Sequence, residues 1–110
     1  MTTLTKAKLL ELAANRCELV KGVPHFGDVW LRSCPEVQRS RRLSALFGKD
    51  GERQKALRRV HRIVDQVMAS EHKPMFTDAD VNTLMALDGA KLDPLFEAIV
   101  RFDEGTEGNG

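Results

Sequence analysis

The chain has 110 residues, 42% hydrophobic and 30% charged, with 17 Lys plus Arg against 16 Asp plus Glu and a formal net charge of +1. That length holds one domain with its own core, and so ordinary an apolar fraction excludes wholesale disorder. A net charge near zero argues against a dedicated nucleic-acid binder, and no apolar run approaches the roughly 18–20 residues of a membrane span.

Residues 1–6 lack the basic-then-apolar pattern of a secretory signal, so a cytoplasmic protein is expected. Residues 3–14 read as a first helix, capped by Thr3 or Thr5, with Leu9, Leu10 and Ala13 at helical spacing. Residues 17–23 and 29–34 are β-prone and flank the turn-forming residues 24–28, which predicts a hairpin. Along its second arm Trp30, Arg32 and Cys34 alternate with Val29, Leu31 and Ser33, and the alternation leaves open which set faces inward. Cys17 and Cys34 flank the hairpin; two cysteines are too few for a disulfide framework, so buried free thiols are expected.

Pro35 opens a second helix, with Glu36 in its electropositive first turn. Val37, Leu43, Leu46 and Phe47 form its apolar side, Ser40 shares the stripe, and Gly48 suits its C-terminal cap. Residues 52–70 give the clearest helix, since Ala56, Leu57, Val60, Ile63, Val64, Val67 and Met68 trace one buried stripe. Pro74 disfavours helix at Lys73, so residues 71–76 are a connection. Thr77 can cap the next helix, with Phe76 and Val81 as a hydrophobic staple and Leu84, Met85 and Leu87 continuing its apolar side. A last helix begins near Ala90 or at Asp93-Pro94, with Leu95, Phe96, Ile99, Val100 and Phe102 inward. The expected fold is mainly α, of α+β type: about five helices with a small N-terminal β-hairpin. Residues 1–103 make the domain and 104–110 a mobile, acidic, Gly-rich tail.

Catalytic motifs are missing from the sequence. His25, His61 and His72 lack metal-ligand spacing, and neither CxxC nor HExxH occurs. Residues 48–51 lack the phosphate-loop pattern, Asp78 and Asp80 do not continue into a calcium loop, and no Gly-x-Ser-x-Gly elbow is present. A non-enzymatic protein without cofactor or metal is expected.

The arrangement of charge is more informative than its sum. Residues 32–62 hold Arg32, Arg39, Arg41, Arg42, Lys49, Arg53, Lys55, Arg58, Arg59 and Arg62 against three acids, a net of +7. Residues 75–110 hold eight acids against Lys91 and Arg101, a net of −6. Three readings follow: acidic helices packed beside basic ones as solvated faces; head-to-tail self-association into rings or open spirals; or DNA binding through a helix-turn-helix around the arginines. The acidic third opposes the DNA reading, which is kept as the alternative: a small helical regulator using residues 39–62.

Residues 23–32 (Val-Pro-His-Phe-Gly-Asp-Val-Trp-Leu-Arg) resemble a stretch near the N-terminus of tail assembly chaperones of long-tailed, siphovirus-type bacteriophages and prophages. Residues 73–81 (Lys-Pro-Met-Phe-Thr-Asp-Ala-Asp-Val), Leu84, and residues 92–99 (Leu-Asp-Pro-Leu-Phe-Glu-Ala-Ile) are similar to that family's C-terminal pattern. The resemblance spans residues 18–103. It implies a chaperone that binds the tape measure protein and recruits tail tube subunits in the host cytoplasm, and that is absent from the mature virion. The charge reading adds self-association into a homo-oligomer or open spiral, in which the opposite charges of residues 32–62 and 75–110 would align neighbouring copies. Candidate contact residues are Phe26 and Trp30 on the hairpin, with Trp30 fitting the core better, and Arg39, Arg42, Arg58, Arg59 and Arg62. Many weak contacts along one long helical partner would add by avidity.

Overall fold

The computed structural model describes residues 3–48 and 51–105. Five helices are present: α1 (Lys6–Leu12), α2 (Glu36–Ala45), α3 (Gly51–Gln66), α4 (Val81–Met85) and α5 (Gly89–Glu104). Four strands, β1 (Cys17–Val23), β2 (Gly27–Arg32), β3 (Val67–Ser70) and β4 (Lys73–Pro74), form one antiparallel sheet in that spatial order. The α+β class matches the sequence expectation, but the hairpin is only half of the sheet.

Of the other half, β3 lies where the helix was expected to continue and β4 lies in the expected connection. α3 stops at Gln66, and Val67 and Met68 pair with Leu31 and Trp30 on β2. Two consecutive apolar residues suit a helical stripe and a buried strand equally well, so periodicity could not separate them. The open edge of β2 decides, because its backbone groups need partners. β4 then closes a tight return, and its Pro74 sits on the outermost strand, where a missing N–H is tolerated.

The hairpin's inward set is Val29 and Leu31, both buried. Strict alternation along β1 would place Gly22 rather than Val23 beside Val20 on that face. Instead a bulge between Val20 and Val23 shifts the register, with Gly22 at φ 69°, so both valines point inward. On the opposite face Leu19, Trp30, Met68 and Pro74 stand in cross-strand register.

The core joins this sheet to α3, α4 and α5. Leu31, Ile99 and Phe102 are 0% exposed, and Ile63, Val64, Leu84 and Leu95 pack in the same cluster. Each such side chain stabilises the fold by about 1.5–3 kcal/mol. Phe76 and Val81 pack against it as the staple predicts. Thr77 and Asp80 form a capping box over a single 3₁₀ turn leading into α4. Leu87 is exposed rather than part of the apolar side.

α5 takes the earlier of its two expected starts. The Asp88 carboxylate accepts from the Ala90 amide at 3.0 Å, so Pro94 lies inside the helix. At the other end Glu104 is helical and Gly105, at φ 74°, supplies the left-handed cap, so the expected tail from residue 104 begins later. Its remainder, residues 106–110, lies outside the described residues.

α1 and α2 differ from the rest. The Thr5 hydroxyl caps α1, accepting from the Lys8 amide at 3.1 Å, but neither helix contains a buried residue. Leu9, Leu10, Val37, Leu43 and Phe47, expected on inward stripes, are exposed; Leu46, just after α2, is buried. Their periodicity is helical, but the apolar faces meet no second layer.

Candidate functional site

The site is built around the last turn of α3. Asp65 and Gln66 are 4% and 1% exposed, although they fall within an apolar run. Burying a carboxylate is costly unless it is paired and hydrogen-bonded. Asp65 receives Arg42 in a bidentate contact, Nε to Oδ2 at 2.9 Å and Nη2 to Oδ1 at 2.6 Å, and Gln38 donates to Oδ1 at 2.7 Å. Arg32 of β2 donates to the Asp65 carbonyl at 2.6 Å. The Gln66 amide donates to the Arg32 carbonyl at 3.0 Å and to Asp103 of α5 at 2.8 Å. The hub therefore ties α2, β2 and α5 to one point. The hydrogen bond to Asp65 holds the Arg42 pKa well above its ordinary value, and the bond from Arg42 depresses that of Asp78.

Above the hub opens a cleft of about 860 Å³ between the end of α1, α2, α3 and α5. Leu12, Leu43, Leu46, Phe96 and Phe102 supply its apolar surface. Arg16, Arg39, Arg42, Arg58 and Arg62 line it with cations. Arg16 stacks over the Phe102 ring at 4.0 Å from its centroid and donates to the Phe102 carbonyl. His61 also lines the cleft at 7% exposure, and its Nδ1 is enclosed without a hydrogen-bond partner among the described residues. Burial, followed by the charge of Arg42, lowers its pKa and so favours the uncharged ring. A smaller hollow adjoins the cleft and shares Leu43, Leu46 and Arg58 with it, extending the groove to Phe47 and Gly48.

Four of the seven candidate contact residues, Arg39, Arg42, Arg58 and Arg62, converge on this cleft. Arg59 points instead to Asp93, at 2.5 Å, and to the Phe96 ring. Phe26 is 41% exposed in the hairpin turn beside His25, which holds φ 71°. Trp30 is half-buried on the sheet face away from the helices. The hairpin and the arginines thus form separate surfaces. Sequence reasoning missed Asp65 and Gln66; the available signal was an acid and an amide interrupting an otherwise apolar run.

The opposite charges of the two regions meet within one molecule. Arg41 and Arg42 pair with Asp78, Arg59 with Asp93 and Arg62 with Asp103. Those carboxylates are engaged inside the copy, which weakens the expectation that they align neighbouring copies. The side chains of Arg39 and Arg58 make no ion pair or hydrogen bond among the described residues.

Cys17 and Cys34 are free and half-buried, and burial raises both thiol pKa values, which disfavours reactive thiolate. Among the described residues no group of three or more His, Cys, Asp or Glu side chains could hold a metal, and no helix is long and apolar enough to cross a membrane. No family model, curated protein or solved structure matches the chain.

Proposed function

We propose that this chain is a non-enzymatic tail assembly chaperone that covers helical, apolar-striped segments of a tape measure protein and recruits tail tube subunits in the host cytoplasm. The observation that carries the reading is the apolar cleft edged by arginines and flanked by the uncovered leucines of α1 and α2. An exposed apolar surface of this kind marks an interaction site, and a groove between helices is a standard receptor for an amphipathic helix. A long tape measure helix exposes one apolar stripe over its whole length and aggregates if left bare. A small subunit used in many copies covers it with weak individual contacts. The resemblance over residues 18–103 supplies the specific partner.

The DNA-binding alternative is disfavoured by the ion pairs of Arg41, Arg42, Arg59 and Arg62, which must break before those cations neutralise phosphate. The deciding experiment is co-expression with a tape measure protein of a long-tailed phage. The expected result is a soluble complex on gel filtration and aggregation of the long protein when it is expressed alone. Equal solubility in both cases, or a duplex-DNA shift at about 50 mM salt, would overturn the reading.

A further inference from the structure

We propose that the groove between α2 and α3 is selective for an acidic amphipathic helix, with Arg39 and Arg58 as its charge-reading residues. This rests on the reading that the chain covers helical segments, and it specifies their chemistry. Most arginines of the fold have a partner of their own. Arg16 pairs with Glu18, Arg41 and Arg42 with Asp78, Arg59 with Asp93, Arg62 with Asp103, and Arg32 binds the Asp65 carbonyl. Among the described residues Arg39 and Arg58 make no such contact, and both line the same cleft. One lies on α2 and the other on α3, with Leu43 and Leu46 lining the cleft between those helices.

Leu43 and Leu46, set between cations on two helices that have no ion-pair partner among the described residues, fit a ligand with a central apolar stripe and carboxylates on its flanks; Asp65 and Gln66 line the same cleft with their hydrogen bonds already made inside the fold. A smaller hollow that shares Leu43, Leu46 and Arg58 with the cleft also reaches Phe47, which adds apolar surface beside it. A second copy's α1 has the apolar residues Leu9, Leu10 and Leu12 but places Lys6 and Lys8 beside a single acid, Glu11, so its charge opposes the arginine walls. Nucleic acid would match the cations but leave Leu43 and Leu46 uncovered. Complementary charge here sets partner choice and encounter rate more than total affinity.

The test uses the full chain and two fluorescein-labelled helical peptides of about six turns. Both carry the same Leu/Ala stripe, flanked by Glu in one and by Lys in the other. Binding is read by anisotropy at low salt, and the contact site by amide shifts in NMR spectra. The Glu peptide should bind about tenfold tighter than the Lys peptide and lose that advantage as salt rises. The double variant R39E/R58E should reverse the preference while keeping the wild-type circular dichroism spectrum, since neither arginine has a partner to lose among the described residues. Shifts should cluster on α2 and the first half of α3. Equal affinities, no binding of either peptide, an unreversed preference in the double variant, or shifts elsewhere would overturn the proposal. Co-purification of the tape measure protein with R39E/R58E separates the two levels. If the complex survives while the peptide preference is gone, the chaperone reading stands and the groove is not its site. If the wild-type chain brings down no tape measure protein, that reading falls, and the peptide data still judge the groove.

Discussion

The region formed by α1 and α2 and the region formed by the sheet with α3, α4 and α5 are equally amphipathic in sequence and opposite in packing. Leu9 and Leu10 on α1 are 49% and 61% exposed, whereas Leu95 and Ile99 on α5 are 6% and 0% exposed. Both sets follow helical spacing. The difference is that α5 lies against β1 and α3, which present valines and isoleucine to it, while α1 has no facing layer. An apolar stripe records a need for a partner, and the partner can belong to the same chain or to another molecule. In this protein the well-packed region satisfies that need internally, and the α1–α2 region leaves it open beside an arginine-edged cleft.

The comparison is broken most directly by truncating one side chain in each region. Phe102→Ala should cost about 3–5 kcal/mol in urea unfolding, the range for deleting a fully buried aromatic ring. Leu10→Ala should stay within about 0.5 kcal/mol, as for an ordinary surface position. A large loss at Leu10 would mean that α1 packs in solution and that the open face is not there. The Asp65 hub, which joins the two regions, comes next. Asp65→Asn keeps the shape but removes the buried countercharge of Arg42, and should cost about 2–3 kcal/mol in the same assay. Because Gln38 and Arg42 of α2 hold this carboxylate, hydrogen exchange should show α2 loosening before α5 in that variant.

The smallest expected effect is on acid stability, and its sign follows from two depressed pKa values. His61 binds its proton less readily folded than unfolded, because it is buried and faces Arg42 and Arg41, with Asp65 and Asp78 only partly compensating. Stability should therefore fall as pH drops below about 6.5, the ordinary imidazole value. His61→Gln should flatten that part of the curve. Asp78, depressed by its bond from Arg42, contributes stability that is complete above the ordinary carboxylate value of about 4 and is lost as pH falls through its folded value. Asp78→Asn should remove only this lower slope, measured by thermal melts across the acid range.

Much of the local structure was legible in the residues. Thr5 and Thr77 cap helices with their own side chains, and Phe76 and Val81 pack beside the capping box at the entry to α4. Such signals act within one helical turn, so a few consecutive residues contain all the physics involved. The stripe Leu57, Val60, Ile63 and Val64 likewise identified the buried helix. The cleft was legible only in part. Arginines at 39, 42, 58 and 62 announced a basic surface, but not that α2 and α3 would bring Arg39 and Arg58 to one cleft with Leu43 and Leu46.

What the sequence determined by itself is the alternation of helical and extended segments, their caps, the hairpin turn and the apolar residues available for burial. Tertiary structure alone decided three things. Val67 and Met68 became a strand because the edge of β2 offered backbone partners that a helix would have ignored. Gly22 became a bulge because Val20 and Val23 both had to reach one core. Arg41, Arg42, Arg59 and Arg62 of the +7 segment found Asp78, Asp93 and Asp103 of the −6 segment because α2 and α3 fold against α5 and the turn before α4. Each depends on groups far apart in the chain, and their interaction exists only once loop closure has brought them together.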